Sequence, residues 1–160
     1  ALGELRAGRI TVVARRHAGP GRALSAAHRM GLDIEPLTWK PADSASNTEA
    51  ARRLAAADVV ISTLPAGAAD PLAGPTDAFT GRSGRTRSAA VMLDVVYAPW
   101  PTALAQAWGR AGGAVAPGWL MLLHQAVPQV QLMTGQQPDI EDMRAALRSA
   151  LNSTSASADD

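Results

Sequence analysis

The sequence contains no cysteine. It therefore cannot form a disulfide, a thiolate nucleophile or a cysteine-ligated metal site, and this composition is typical of a reducing compartment. Neither sign of charge is in excess, because 15 Lys and Arg residues stand against 14 Asp and Glu residues, for a net charge of +1. The basic residues are dispersed along the chain, so we expect neither nucleic acid nor a membrane surface as a partner.

Long apolar runs are absent as well. No stretch approaches the roughly 20 residues that span a bilayer, and the chain does not open with a signal-peptide pattern. We therefore expect a cytoplasmic protein. With 160 residues and a hydrophobic content of 47%, the chain is long enough for one globular domain with a buried core.

Short β-branched runs alternate with segments of helical periodicity. The runs predict strands at residues 10–14, 33–39, 58–64, 91–96 and 114–116. Pro36 interrupts the second run, so that strand is expected at a sheet edge. Helices are predicted at residues 20–31, 48–57 and 101–111, from 118 onwards with a kink at Pro128, and after a cap at Asp139. This alternation predicts an α/β fold with a doubly wound parallel sheet.

Two segments are predicted to lack regular structure. Residues 66–90 are rich in Gly, Pro, Ser, Thr and Arg, and at most a short helical turn is expected there, near residues 70–72. Irregular segments of this length usually carry function or are mobile. Residues 152–160 have the composition of a disordered tail.

Arg15 and Arg16 follow the first predicted strand. In a dinucleotide-binding fold an acidic residue at this place binds the ribose 2′-hydroxyl of NAD, whereas an Arg accommodates the 2′-phosphate of NADP. The pair therefore favours NADP, although a solvated Arg pair after a strand is equally compatible with the spacing. The nearby Gly19, Gly21 and Leu24 only superficially match G-x-G-x-x-G, because the third glycine is missing and the turn comes too late after the strand.

Three polar residues are of interest in the apolar stretch from Val91 to Gly135. Tyr97 follows a predicted strand, at the edge of an open α/β sheet where ligands bind, and Gln125 lies two turns into the next long helix. A phenol and an amide are suited to orienting a hydroxylated acid, not to proton transfer at pH 7. An ordinary half-buried aromatic is the alternative for Tyr97. Asp94 is expected to be hydrogen-bonded to a neighbouring loop, not to act as a base.

Spaced motifs in this stretch resemble the carboxyl-terminal half of shikimate dehydrogenases. They are Asp-x-x-Tyr-x-Pro, Pro-Thr-x-Leu, Gly-x-x-Met-Leu-x-x-Gln-Ala and Thr-Gly, formed by Asp94, Tyr97, Pro99, Pro101, Thr102, Leu104, Gly118, Met121, Leu122, Gln125, Ala126, Thr134 and Gly135. The resemblance implies a Rossmann-like NADP-binding domain over residues 1–151, incomplete at its first strand and glycine loop. It also implies hydride transfer between NADPH and 3-dehydroshikimate, which gives shikimate in aromatic amino acid biosynthesis.

The resemblance further assigns roles to individual residues. The expected cofactor-binding residues are Ala14, Arg15, Arg16, Thr63, Val95, Gly118 and Met121, and the expected substrate-binding residues are Tyr97 and Gln125. In this family a Lys and an Asp of an amino-terminal domain handle the proton, and the sole lysine, Lys40, lies in a different context. No catalytic residue is therefore expected in this chain, and the isolated chain is expected to be inactive and to bind nucleotide poorly.

Two alternatives stay open. A quinate/shikimate dehydrogenase that uses NAD is one, and Arg15 counts against it. A non-catalytic dinucleotide-binding domain is the other. His17, His28 and His124 lack the spacing of metal ligands, so no metal site is predicted.

Overall fold

The computed structural model describes residues 7–17, 23–83 and 90–156. Parallel strands alternate with helices, so the predicted α/β class is confirmed. The elements are β1 (Thr11–Ala14), α1 (Ala23–Arg29), β2 (Glu35–Thr38), α2 (Ser44–Ala55), β3 (Val59–Ser62), a 3-10 turn (Asp70–Leu72), α3 (Ala73–Ser83), β4 (Val91–Asp94), α4 (Ala103–Arg110), β5 (Ala114–Pro117), α5 (Gly118–Thr134) and α6 (Ile140–Ala156).

The strands form two parallel sheets. β1 pairs with β2, and β3, β4 and β5 pair in that order. The predicted edge strand with Pro36 is β2, which pairs only with β1 among the described strands. β1 and β3 likewise each have a single partner in the described part of the chain. Each of these strands therefore has one edge without a partner among the described strands.

The two sheets share one hydrophobic core. The buried side chains Val60 of β3, Met92 of β4 and Trp108 of α4 lie in the same cluster, and Val13 of β1 and Leu37 of β2 pack against it. Burial alternates along β3 and β4, since successive strand residues point to opposite faces. One face of the three-stranded sheet is thus covered by helices.

The opposite face of that sheet is open. Val59 and Ile61 of β3 are 49% and 39% exposed, and Val91 of β4, which is paired with Val59, is 38% exposed. Parallel sheets normally have both faces covered. This open face is therefore an unusual surface for a parallel sheet.

Helix α5 packs against α6 and against β5, the strand that it follows. The guanidinium of Arg148 in α6 lies 5.3 Å from the ring centroid of Trp119 in α5. The predicted Asp139 cap is confirmed, because Asp139 Oδ1 accepts hydrogen bonds from the backbone N–H groups of Glu141 and Asp142 at 2.7 and 3.2 Å. The two helices thus form a hairpin at the end of the described chain.

Two predicted starts of helices are wrong. Helix α2 is capped by Asp43, whose carboxylate accepts hydrogen bonds from Ala45 N and Ser46 N, so the helix begins four residues before Thr48, the first residue of the predicted helix. Thr102 caps α4, so Pro101 precedes that helix and does not occupy its first position. Both helices start where a side-chain oxygen can accept an N–H of the first turn. The predicted start of the first helix, near Pro20, lies outside the described residues.

The prediction of irregular structure at residues 66–90 is also wrong in part. Helix α3 occupies residues 73–83 after the expected turn at 70–72. Pro75 lies in its first turn, where the missing N–H costs nothing. Thr76 is fully buried and donates to Leu72 O at 2.7 Å. At the other end of the chain, α6 continues to Ala156, past the predicted start of the tail, and residues 157–160 lie outside the described part.

Candidate cofactor and substrate site

The register of the three-stranded sheet aligns the last residues of its strands, which are Ser62, Asp94 and Pro117. The next residues along the chain are therefore brought together at one edge: Thr63, Val95 and Gly118. Val95 N donates to Ser62 O at 3.0 Å, which continues the pairing past the strand end. These three neighbours are residues that the sequence predicted to bind the cofactor. The carboxyl edge of an open parallel sheet is also where such folds bind ligands.

Gly118 lies directly against the backbone of Val95. A Cβ added to Gly118 would overlap the carbonyl group of Val95 and would lie 2.9 Å from its Cα. Gly118 N also donates to Val96 O at 3.3 Å. Only glycine therefore fits at this first position of α5, where the chain passes close to the backbone of Val95.

Helix α5 carries the next two candidates on one face. Met121 and Gln125 are three and seven residues after Gly118, and residues at this spacing share a side of an α-helix. Gln125 is exposed and lies about 10 Å along the axis from Gly118, given a rise of about 1.5 Å per residue. Gly118, Met121 and Gln125 thus lie along one face of α5, with Gly118 at the sheet edge and Gln125 farthest from it.

Tyr97 follows β4 and is 49% exposed. The loop that carries it is fixed by Asp94, which is 1% exposed. The Asp94 carboxylate accepts Val96 N–H at 3.3 Å and the Thr102 hydroxyl at 2.7 Å, and Thr102 Oγ1 accepts Ala105 N–H at 3.1 Å. The prediction that Asp94 is hydrogen-bonded to a loop is confirmed. Asp94 therefore stabilises the loop after β4, and its carboxylate is buried away from the surface.

Arg15 and Arg16 lie at the end of the other sheet. Trp39 N donates to Ala14 O at 2.9 Å, which holds the end of β1 beside the end of β2. Both arginines are exposed, and in the described part of the chain neither makes an ion pair. Their donors therefore face no carboxylate among the described residues, and the role of the pair in binding a phosphate stays a prediction. The structure places them apart from the Thr63, Val95 and Gly118 group, on a different sheet.

The clearest pKa shifts lie on the surface, away from the strand ends. Hydrogen bonds from Arg52 and Arg53 lower the pKa of Glu49 from 4.5 to about 2. Arg110 donates two hydrogen bonds to the Asp77 carboxylate, at 2.6 and 3.1 Å, and this bidentate pair raises the pKa of Arg110. These pairs join neighbouring turns or helices, so their charges stabilise the surface and are not arranged for proton transfer.

Sequence reasoning missed two features near this site. Thr102 was matched to a motif but not recognised as the partner of Asp94; the spacing of eight residues across two prolines gives no local signal for that contact. An apolar cavity of about 200 Å³ between α5 and α6 was also not foreseen, and it is lined by Leu122, Leu123, Ala126, Met143 and Leu147. The cavity does not include Tyr97 or Gln125, and it is too apolar to hold a polar acid.

Over residues 7–17, 23–83 and 90–156, no group of three or more His, Asp or Glu side chains is placed to hold a metal ion. No helix in those ranges is both long and apolar enough to cross a membrane.

Comparisons with known proteins identify a matching family model and similar chains. The family model of the shikimate 5'-dehydrogenase C-terminal domain matches residues 118–148, which form α5 and most of α6. The NADP(+) shikimate dehydrogenase of Rubrobacter xylanophilus is 34% identical over 136 residues, which are 80% of this chain and 42% of that protein.

Two solved structures are similar over most of the chain. The shikimate dehydrogenase of Mycobacterium tuberculosis superposes with a TM-score of 0.62 at 37% identity, over 93% of this chain and 49% of that one. The shikimate 5-dehydrogenase of Thermus thermophilus, solved with shikimate, superposes with a TM-score of 0.61 at 27% identity, over 93% and 48%. The chain thus spans less than half the length of these relatives. It belongs to the shikimate dehydrogenase family.

Proposed function

We propose that this chain is the NADP-binding domain, residues 1–151, of an NADP-dependent shikimate dehydrogenase. The observation that carries the proposal is the alignment of Thr63, Val95 and Gly118 at one sheet edge, with Gly118 packed against the Val95 backbone. The curated relative in Rubrobacter xylanophilus is named for NADP(+), which supports the choice of cofactor.

The residues present suit the two ends of NADP. Arg15 and Arg16 would bind the 2′-phosphate, because both guanidinium groups are exposed and lack a carboxylate partner among the described residues. Val95, Gly118 and Met121 would lie along the nicotinamide ring. The backbone donors that hold a pyrophosphate come from a glycine loop at a helix N-terminus, and the described part of this chain has no such loop.

The bound cofactor would supply the hydride, and this chain would orient the acceptor. Tyr97 and Gln125 would hydrogen-bond the hydroxyl and carboxylate groups of 3-dehydroshikimate from two directions, the loop after β4 and the exposed face of α5. The Asp94 and Thr102 hydrogen bonds hold the first of these elements in place. A Lys and an Asp of an amino-terminal domain would transfer the proton, so the chain by itself would be inactive.

The first experiment is to sequence the coding DNA upstream of the Ala1 codon. We expect an in-frame glycine-rich strand-turn-helix, preceded by an α/β domain with a Lys and an Asp. A stop codon or an unrelated segment would overturn the dehydrogenase proposal in favour of a non-catalytic dinucleotide-binding domain.

The second experiment measures cofactor preference in the complete protein. Arg15→Ala should weaken NADPH binding by about 10- to 100-fold, since a hydrogen bond to a charged group contributes about 1.5–3 kcal/mol. NADH binding should change little, because NADH has no 2′-phosphate. Arg29→Ala is the matched control, because Arg29 is likewise an exposed arginine but lies in the last turn of α1 and not at the end of β1. An equal loss of affinity for NADPH and NADH would show that Arg15 does not bind the 2′-phosphate.

The substrate site is tested in the same enzyme. Gln125→Ala should raise the KM for shikimate with little change in the NADPH constants, because the amide orients the substrate alone. Gln131→Ala, at another exposed position of α5, is the matched control. An unchanged KM for shikimate would show that Gln125 does not bind the substrate. A preference for quinate with NAD would favour the quinate/shikimate alternative.

A further inference from the structure

The pairing of β1 with β2 brings the sole lysine of the chain to the sheet edge where two arginines follow β1. Ala14, the last residue of β1, pairs with Thr38, the last residue of β2. Trp39 N donates to Ala14 O at 2.9 Å, so the pairing continues one residue past β2. Lys40 comes next, at the end of a strand about 4.8 Å from β1. The lysine and the two arginines therefore follow neighbouring parallel strands, although they are distant in the sequence.

The loop that carries Lys40 is fixed by its own hydrogen bonds. Lys40 N donates to Ser46 Oγ at 2.9 Å, and Lys40 O accepts from Asp43 N at 2.9 Å. On the strand side, the indole of Trp39 is buried and donates to Asn47 Oδ1 at 2.7 Å. The backbone of Lys40 is thus held on both sides, so binding a ligand there would order only the side chain.

The Lys40 side chain is exposed and makes no ion pair within the described ranges. The nearest carboxylate along the chain is that of Asp43, and it accepts hydrogen bonds from Ala45 N and Ser46 N at the start of α2. The two arginines after β1 also lack a carboxylate partner in those ranges. Like charges at one edge repel one another, and an anion bound between them would relieve this repulsion.

The residue after the arginine pair is a buried histidine. His17 is 8% exposed, and neither imidazole nitrogen has a hydrogen-bond partner among the residues that the structure describes. Buried polar side chains are normally hydrogen-bonded, so an unpartnered imidazole calls for an explanation. Unused hydrogen-bonding groups thus accompany the unpaired cations at this edge, and both observations indicate a polar ligand.

We propose that Lys40 is a further ligand of the 2′-phosphate of NADP, which it binds from β2 while Arg15 and Arg16 bind it from β1. A phosphate monoester has three strong acceptor oxygens, so it can accept hydrogen bonds from cations on two strands at once. Lysine binds phosphate as a compact point charge and does not need the planar geometry of an arginine. Lys40 thereby contributes to specificity, since NAD lacks the 2′-phosphate. The inference rests on the proposed function and adds to it a residue from a second strand.

The test compares the Kd of NADPH with that of NADH, measured by cofactor fluorescence in the complete protein. Lys40→Gln should weaken NADPH binding by about tenfold, near the lower end for a charged hydrogen bond because the side chain is exposed. NADH binding should change by less than about twofold. Lys40→Arg keeps the charge and should hold NADPH binding within about threefold of the unsubstituted protein. Arg29→Gln removes an exposed cation from the last turn of α1, and as the matched control it should change neither Kd.

The inference is overturned if Lys40→Gln keeps its NADPH affinity, or if it loses affinity for NADPH and NADH equally. It is also overturned if Lys40→Arg binds NADPH as weakly as Lys40→Gln, since the role assigned to Lys40 is its charge. Added salt provides a second readout: NADPH affinity should fall less steeply with ionic strength in Lys40→Gln, because one screened contact is gone. An Arg15→Ala variant tests the proposed phosphate site itself. A loss of NADPH affinity in Arg15→Ala, together with unchanged binding by Lys40→Gln, would exclude Lys40 alone and leave the proposed function standing.

Discussion

The hydrogen-bond chain from Ala105 through Thr102 to Asp94 predicts a large effect for the substitution Thr102→Val. Valine keeps the shape of threonine and removes its hydroxyl. The loss of the helix cap costs about 0.5–2 kcal/mol. The loss of a hydrogen bond to a buried charged group costs about 1.5–3 kcal/mol more. The carboxylate of Asp94 would keep only the longer bond from Val96.

We therefore expect Thr102→Val to lower the free energy of unfolding by about 2–5 kcal/mol. Urea denaturation followed by circular dichroism measures this, as a lower midpoint with an unchanged slope. Thr102→Ser, which keeps the hydroxyl, is the matched control and should lose less than about 1 kcal/mol. If Thr102→Val lay within about 0.5 kcal/mol of the unsubstituted chain, the hydrogen-bond chain would not stabilise this loop and the reasoning would be refuted.

Two further predictions concern other parts of the structure. Gly118→Ala should destabilise the chain by about 1–3 kcal/mol in thermal or urea unfolding, because the added Cβ would overlap the Val95 carbonyl group. The control is Gly109→Ala, whose Cβ would lie 4.0 Å from the nearest atom and which should be neutral or stabilising. Equal effects of the two substitutions would contradict the close approach of Gly118 to Val95. Glu49 has a pKa lowered to about 2 by two arginines of its own helix, so its contribution to stability is present above about pH 4.5 and is lost as the pH falls towards 2. The difference in unfolding free energy between the chain and Glu49→Gln should accordingly be constant above about pH 5 and shrink below it, and a difference that is independent of pH would show that the ion pairs do not stabilise the fold.

Local sequence signals were sufficient for the five strands and for every helix except α3. The β-branched runs and the Asp139 cap act within one element, so they can be recognised from a few neighbouring residues. Helix α3 could not be recognised this way. Its Gly74, Pro75 and Thr76 are weak helix formers, and the helix is stabilised by packing between α2 and α4, with Thr76 fully buried.

In the candidate site, too, contacts within one element could be predicted from the sequence, and contacts between elements could not. The sequence placed Val95 and Gly118 only through the family resemblance, because the register that joins them depends on pairing between distant strands. The cap of α4 was missed for a similar reason. Pro101 and Thr102 are both suitable helix starts, and the buried carboxylate of Asp94 eight residues earlier decides between them. Contacts between elements, and not propensities, determine these positions.

The attachment of the α5–α6 hairpin has a consequence for dynamics. α5 is joined to the sheet at Gly118 and β5, and most of its other packing is to α6 across an apolar interface with a cavity of about 200 Å³. A unit attached at one end, with few buried contacts to the remainder, opens at a lower free energy than the core. We therefore expect the α5–α6 hairpin to open separately from the sheet, so that Gln125 would move relative to Thr63 and Val95. If Gln125 orients the substrate as proposed, binding and release of that acid would follow the opening rate of this hairpin and not that of the sheet.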